Sequence, residues 1–561
     1  MNTLKTHTAR WLVVCGMSLL LPMNLEAGEP STKDLDAAIN AGDFAGYFSS
    51  LSTWLSQKVP ADPGKISEAT MKALLKDPVF VNTLGQRQLI SKLGVDKIGA
   101  FAKADPANRG FLAWLLKNTQ VMDLFLEAAG PTPIAEREAN TYTVSASALD
   151  IWRKILSADP EAKDGIYQKL AIATAIAPPG SRTGGAGGAN QTPAEPMGRY
   201  KHFKSAHKNN ELFPSFNTLT VWEYTKVVSS HASDGDLDWA RDMINTWRPD
   251  LRIKEQVVES TREVWRRDSP WLYTNGFKSV LEGGGKCGPR ASWAVMICQA
   301  FGIPAIGVGQ PGHACVAAKT AYPEMQPQPG SAWKVHQGAG WQVSKLDGTS
   351  GANFLAAVEE RSHAAAFSQI EHLRWLASAL ASKAQAEAVM SVATKPRPQA
   401  TPQQAAPQAT PATASKADPK PASLPEAPFA VVPGILHVEA ESFSKMSGIG
   451  VYDCFTGGKQ VNFQKNMKES WLDYTVDVPA TGTYGLEMRV ALVNRDQVFD
   501  ISAGADKLAS ISMPNTYGLW TTTQAVDIRL NKGTQTLRIS APFQRGVALR
   551  WLELKSKATH Q

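Results

Sequence analysis

The sequence predicts a multidomain protein with an α-helical N-terminal region, an α+β central domain and an all-β sandwich at its C-terminus. Apolar residues recur at helical spacing from residue 32 to 176, and helices alternate with short apolar strands from 201 to 387. After residue 433 the apolar period becomes two, with turn residues between the runs. A Pro/Ala-rich stretch, residues 388–432, is predicted to be an extended linker between folded units.

The first 27 residues are predicted to be a signal peptide. Lys5 and Arg10 precede an apolar run from Trp11 to Met23, and Ala27 precedes the expected cleavage point. The run is shorter than the roughly 20 apolar residues that a membrane-spanning helix needs. We therefore expect the mature protein to be secreted or periplasmic and to have no membrane span.

Charge and cysteine content exclude two classes of protein. The net charge of +7 is spread along the chain, which is not the clustered basic surface of a nucleic-acid-binding protein. No C-x-x-C pair is present, so the sequence indicates no structural zinc site, and we expect no cofactor. Cys298 and Cys315 are expected to be buried thiols, with a disulfide bridge between them as the alternative.

The N-terminal region, residues 28–200, shows the apolar stripes of amphipathic helices. Their spacing of three to five residues is typical of helix faces that pack in a core. The stripes include Leu35, Ile39, Phe44, Tyr47, Leu51 and Trp54, and later Trp152, Ile155, Leu156, Tyr167 and Leu170. We expect a helical packing domain here, without a catalytic role.

The central domain, residues 201–387, contains a cysteine in an activating context. Three glycines precede Cys287, and Pro289 fits the first turn of a helix, where its missing N–H is not needed. A thiol at a helix start lies at the positive end of the helix dipole, which favours the nucleophilic thiolate. The same free N–H groups suit a developing oxyanion.

A histidine and an aspartate follow at the ends of predicted strands. His313 opens a buried strand after a Gln-Pro-Gly turn, and Asp347 ends a third strand that begins at Trp341. His336 and His363 are alternative bases, although neither opens an apolar strand.

The order of these features, over residues 280–350, resembles the transglutaminase-like superfamily, which has a papain-type fold. The resemblance rests on the glycine-rich loop, the cysteine at a helix start, Gly302-Ile-Pro-Ala305, the histidine that opens a strand, and a Trp followed by Leu-Asp. It implies that Cys287 is the nucleophile, His313 the general base and acid, and Asp347 the residue that orients the imidazole. Cys315 stands where the family often has a Trp.

The C-terminal segment, residues 433–561, resembles family 6 carbohydrate-binding modules. The resemblance is carried by Val438-Glu-Ala-Glu-Ser-Phe443, Trp471-Leu-Asp-Tyr474, Gly482-Thr-Tyr484, Leu530-Asn-Lys-Gly533 and Trp551-Leu-Glu-Leu554. It implies a jelly-roll β-sandwich that binds a polysaccharide or glycan in a cleft of loops.

The resemblance also implies particular binding residues. Phe463 and Tyr517 fall at the positions of the family's two sugar-stacking aromatics, and Ala548 falls where the family has an Asn. Glu439 and Glu441 match ligands of the family's structural calcium. Arg550 occupies the place of another ligand, and because calcium requires oxygen ligands we expect no metal here.

Two functions agree with these patterns. The first is a secreted carbohydrate-binding protein whose cysteine domain hydrolyses or transfers an acyl group at an amide or peptide bond. The alternative is a noncatalytic secreted scaffold that binds carbohydrate or protein, with a degenerate transglutaminase-like domain. The order of Cys287, His313 and Asp347 favours the first function, whereas the altered neighbours and the missing Asn favour the second.

Overall fold

The computed structural model describes most of the chain. The described residues are 28–130, 145, 147–179, 194–253, 255–268, 276–320, 326–327, 332–336, 338, 345–346, 349–362, 364–394, 434–463, 469–493, 497–542 and 546–557. The predicted signal peptide, residues 395–432 of the predicted linker, and Asp347 and His363 lie outside them. Residues 388–394, also predicted as linker, belong instead to the helix Lys383–Thr394.

Nine helices form the N-terminal region that the structure describes. They are α1 (Thr32–Ala41), α2 (Ala45–Lys58), α3 (Glu68–Leu74), α4 (Pro78–Leu93), α5 (Val95–Ala104), α6 (Pro106–Leu116), α7 (Thr119–Ala128), α8 (Ser147–Ala158) and α9 (Gly165–Ile176). Local sequence sets their starts: the Asp77 and Asp105 side chains cap α4 and α6, each of which has Pro in its first turn. This confirms the predicted helical region.

The central region combines helices with one antiparallel sheet. Its helices are α10 (Pro196–Lys208), α11 (Val221–Val228), α12 (Asp234–Trp247), α13 (Pro249–Ile253), α14 (Gly276–Gly283), α15 (Cys287–Ala300), α16 (Gly351–Ser362), α17 (Ala364–Ala379) and α18 (Lys383–Thr394). Its strands are β1 (Ala305–Gln310), β2 (His313–Lys319), β3 (Gln326–Pro327), β4 (Trp333–His336), β5 (Lys345–Leu346) and β6 (Thr349–Ser350). The sheet order is β3-β4-β2-β1-β5-β6, and α15 packs against β1 and β2.

The helical and central regions share one hydrophobic core. Buried residues from α1 through α15 belong to a single cluster, which also includes residues of α17 and α18. Arg87 of α4 donates to the side-chain and backbone oxygens of Ser378 in α17 at 3.0 Å each. The last helices thus fold back onto the N-terminal helices, and the predicted boundary at residue 200 crosses this shared core.

The C-terminal domain is a sandwich of two antiparallel sheets. Its strands are β7 (Ile435–Glu439), β8 (Lys445–Ser447), β9 (Ile449–Asp453), β10 (Lys459–Phe463), β11 (Glu469–Val478), β12 (Gly482–Leu492), β13 (Gln497–Ala503), β14 (Asp506–Met513), β15 (Thr521–Thr522), β16 (Val526–Leu530), β17 (Gly533–Pro542) and β18 (Val547–Ser556). One sheet has the order β15-β12-β18-β10-β9, with β16 and β7 at its side, and the other has the order β14-β13-β17-β11-β8. The inward residues form a separate core, which confirms the predicted all-β domain.

One predicted element differs from the structure. The spacing of apolar residues predicts a helix over residues 252–267, but the described residues there form only the end of α13 and a short 3₁₀ turn, Val257–Arg262. The strand predicted from Trp341 is described at β5, and its other residues lie outside the described part of the chain. The strand that pairs with β2 on the side away from β1 is β4. Within the described part of the chain, no helix is long and apolar enough to cross a membrane.

Candidate functional site

The glycine loop before Cys287 is required by a close backbone contact. Gly284 has a φ of +71°, and a Cβ at this position would lie 2.1 Å from the carbonyl oxygen of Trp265. Gly285 donates its N–H to that same carbonyl at 2.8 Å. Only glycine fits this approach, so the loop is fixed against residues 265–267 and sets where α15 begins.

Helix α15 begins at Cys287, as the sequence predicts. The preceding Lys286 is exposed and makes no side-chain cap hydrogen bond, so the first-turn N–H groups are not satisfied by a cap from this residue. Further along the helix, Trp293 is fully buried, and its ring meets that of Trp239 edge to face at 5.8 Å. A rigid, well-packed helix therefore presents the half-buried Cys287 at its N-terminal end.

Cys287 and His313 line the same cleft. The cleft has a volume of about 320 Å³ and lies between the start of α15, the start of β2 and the end of β4. His313 is exposed at the rim. The structure thus brings together two of the three predicted catalytic residues, while the third, Asp347, lies outside the described residues.

Two further residues belong to this site. His336, the last residue of β4, lines the cleft and is 5% exposed. Its Nδ1 lies 3.6 Å from Oε1 of Glu259, in the turn Val257–Arg262. The sequence names His336 only as an alternative base, and it gives no sign of Glu259, which precedes the site by nearly 30 residues and reaches it only through the fold.

The rim of the cleft is mostly basic. Arg266, Lys286 and Arg290 line it, and Asp268 is the carboxylate on its wall. Arg290 donates to the carbonyl of Thr261 at 3.1 Å, which ties its guanidinium to the turn Val257–Arg262. Positive charges at this position favour an anionic substrate.

The two neighbouring cysteines are poor nucleophiles. Both are buried, and all four described cysteines are free thiols. Burial raises the pKa of Cys298 to about 12. Burial and the nearby Cys287 raise the pKa of Cys315 to about 11. Cys287, half-buried at the cleft, is the thiol of this region with access to solvent.

In the C-terminal domain the structure corrects the predicted role of Phe463. Its side chain is 3% exposed inside the sandwich core, with its ring centroid 4.6 Å from that of Phe499. Residues of β10 alternate between the two faces of the sheet, and position 463 points inward with Val461. A ring enclosed in this way has no face on which a sugar could stack.

Tyr517 lies in a loop that contacts the central region. Its backbone carbonyl accepts a hydrogen bond from Nε1 of Trp239 at 3.0 Å, and its hydroxyl donates to Oε2 of Glu282 at 3.4 Å. A Cβ on the adjacent Gly518 would lie 2.4 Å from Cγ of Met243 in α12. The loop that carries the predicted stacking residue is therefore packed against α12 and α14.

The outward face of one module sheet forms the rest of this contact. Asn462 of β10 donates to the carbonyl of Trp247 at 2.7 Å. Ala491 and Ala548, from β12 and β18, are fully buried in the core shared with the central region. The alanine at the position of the family's Asn thus permits close packing of the module on α12. We name this contact, made by Asn462, Ala491, Ala548 and the Tyr517 loop, the docking face.

An arginine occupies the region of the predicted calcium ligands. Nη1 of Arg550 lies 2.6 Å from Oε2 of Glu439 and donates to the carbonyl of Lys459 at 2.9 Å. Gly458 leaves space for this guanidinium, because a Cβ there would lie 2.6 Å from Nη2. The side chain thus supplies a fixed positive charge to the carboxylate.

This fold of two packed antiparallel sheets is a β-sandwich. Residues 439–556 match the family model described as carbohydrate binding module (family 6). The match confirms the prediction for the C-terminal domain, which is a family 6 carbohydrate-binding module. It begins at residue 439 and so assigns nothing to the helical and central regions.

Solved structures of such modules resemble the same part of the chain. The C-terminal family 6 module of LamC, a laminarinase from Zobellia galactanivorans, is 27% identical over 22% of this chain and 99% of that one, with a TM-score of 0.20. The module CBM6cm-2 of lichenase 5A from Cellvibrio mixtus, solved with cellotriose, is 28% identical over 22% of this chain and 98% of that one, also with a TM-score of 0.20. A search of curated proteins gave no match.

Proposed function

We propose that this protein is a secreted or periplasmic cysteine hydrolase or acyltransferase that acts on an amide or peptide bond. The observation that carries the proposal is that Cys287, at the start of α15, and His313, at the start of β2, line one cleft. A helix that begins at the cysteine and packs on an antiparallel sheet is the arrangement that the resemblance to the transglutaminase-like superfamily implies. The basic rim supports an acyl donor with negative charge.

In the proposed reaction, the Cys287 thiolate attacks the carbonyl carbon of the substrate, and the first-turn N–H groups of α15 stabilise the oxyanion that forms. An imidazole of the cleft takes the thiol proton and returns it to the leaving amine. The sequence assigns this role to His313. We propose that the carbohydrate-binding module keeps this activity at a glycan-rich surface or matrix.

The experiment is to incubate the mature chain with an ester probe and a peptide amide, and to look for an acylated Cys287 peptide by mass spectrometry. We expect Cys287→Ala to abolish both turnover and the covalent adduct. The matched control is Cys454→Ala, which removes a thiol of the module, and it should leave both unchanged. Equal activity in the two variants would rule out a role for Cys287.

One observation favours the second function, a noncatalytic binding scaffold. The Tyr517 loop belongs to the docking face, and Ala548 stands where the family has an Asn. Both features support a module that is a structural part of the same folded unit as the central region. A mature chain that acylates no probe yet retains glycans or protein partners would support this alternative.

A further inference from the structure

The Cys287 cleft contains a buried imidazole that the predicted triad does not use. His336 ends β4, and pairing with β2 places it beside Val316. Val316 belongs to the core that includes α15, so this face of the sheet is the one toward the cysteine helix. Among the described residues, Nε2 of His336 has no hydrogen-bond partner, although it is buried. A buried polar atom of this kind calls for a physical explanation.

The carboxylate of Glu259 faces one nitrogen of the His336 ring. Its Oε1 lies 3.6 Å from Nδ1, its side chain is 12% exposed, and its other oxygen forms an ion pair with Arg262. A carboxylate on this side favours a proton on Nδ1, which leaves the lone pair on Nε2. The separation is longer than a hydrogen bond, and such catalytic contacts often tighten only when substrate binds.

The predicted base, His313, has different surroundings. His313 is exposed at the rim. The strand that precedes Asp347 is β5, which pairs with β1 rather than with β2. It is therefore two strands away from His313, or about 10 Å at the usual strand spacing. His336, in contrast, is on the direct neighbour of β2 and has a carboxylate beside it.

We infer that His336, oriented by Glu259, is the general base of the Cys287 site. This inference rests on the proposed acyl-transfer function and assigns its proton acceptor. Nε2 takes the Sγ proton as Sγ bonds to the carbonyl carbon and the C=O electron pair moves onto oxygen. When that pair returns, the C–N bond breaks and the amine leaves with the proton from Nε2. Water then gives a proton to Nε2 and its hydroxyl to the thioester, and the departing thiolate recovers the proton.

The charges around His336 keep its lone pair available. Burial, followed by the positive charges of Arg262 and Arg290, lowers the pKa of His336 to about 4. Glu259 and Arg262 face it from the turn Val257–Arg262, and Arg290 faces it from α15. The imidazole is therefore neutral across the neutral pH range, with one ring nitrogen unprotonated.

The test measures the rate at which p-nitrophenyl acetate acylates Cys287 in the full mature chain. We expect His336→Asn to slow acylation by roughly 100-fold or more, as loss of a general base does. Glu259→Gln should slow it by roughly 10-fold or more, because the imidazole loses its orientation. His313→Asn tests the competing assignment of the base and should slow acylation less than His336→Asn does. Thermal melting of each variant checks the fold.

Each outcome decides between the hypotheses. A loss in His313→Asn with a normal rate in His336→Asn would overturn the inference and leave the proposed function intact. A wild-type chain that shows no acylation would refute the proposed function itself. If His336→Asn fails to fold, folded Glu259→Gln decides: an unchanged rate overturns the inference. If added imidazole restores the acylation rate of His336→Gly, that result supports a role as base. Imidazole would not restore the rate if the histidine were only structural.

Discussion

Cys287, Cys298 and Cys315 lie close together along the chain but in different environments. Cys287 is half-buried at a helix start, whereas the other two are buried with a pKa of about 12 and about 11. We expect iodoacetamide at neutral pH to alkylate Cys287 roughly 100-fold faster than either, since the thiolate is the reactive form. Peptide mass spectrometry over time gives the three rates. Slow and equal labelling would argue against an activated thiol.

For single residues, the sequence predicts the position in a helix or strand where neighbouring residues in the chain define it. Cys287 follows a glycine loop and precedes Pro289, so its neighbours in the chain predict that it begins a helix. In the same way, the turn before His313 predicts that His313 begins a strand. Glu259 is different, because its contact with His336 joins segments 77 residues apart. No local pattern marks such a pair, and it emerges only when the turn Val257–Arg262 packs beside β4.

Helices and strands are likewise predicted correctly where local sequence defines where they begin. Helix α15 and strand β2 begin at the predicted residues because a glycine loop and a turn define their starts. In β11, the inward positions Leu472, Tyr474, Val476 and Val478 are all buried, as their period of two predicts. The segment after Arg252 has apolar residues at helical spacing, yet Val257 and Val258 are buried in a short turn. Tertiary packing there overrides local propensity.

Arg550 in β18 and Glu439 in β7 join two adjacent strands, which pair with each other. We expect the melting temperature of the protein to be the same with calcium and with a chelator. Arg550→Ala should lower the free energy of unfolding by about 2 kcal/mol, because it removes charge-assisted hydrogen bonds from a largely buried site. Thermal melts with and without calcium measure both effects.

Arg550→Asp is the informative partner variant. It places a carboxylate beside Glu439, so the two like charges should destabilise the module in chelator. Added calcium should restore stability, since it binds carboxylate oxygens. A wild-type protein that melts lower in chelator would contradict the role of Arg550 as the fixed cation of this site.

Across the whole molecule, apolar packing and hydrogen bonds join the module to the central region. Position 548 illustrates what the sequence could not predict. The sequence shows that Ala548 stands where the family has a sugar-binding Asn. Only the structure shows that the small side chain of Ala548 lies against the core of the central region. The strand Val490-Ala-Leu-Val493 gives a weak signal, because it is apolar on both faces, and such strands are covered on both sides.

The docking face leads to a prediction about carbohydrate binding. Because the Tyr517 ring is half-buried against the central region, a sugar can stack on it fully only when the module separates from α12 and α14. The isolated module, residues 434–557, has its own core, so it should fold alone and bind a soluble polysaccharide more tightly than the full chain. Calorimetry or affinity electrophoresis on a glycan panel compares the two.

A substitution in the central region provides the control for this comparison. Met243 belongs to the central region and packs against Gly518, so Met243→Arg should weaken docking without altering the module itself. We expect full-length Met243→Arg to bind glycan as tightly as the isolated module, and Tyr517→Ala to abolish the gain in both. If the full chain and the isolated module bind equally, the sugar site lies away from the Tyr517 loop. The docking face is then a permanent structural contact, and sugar binding is independent of it.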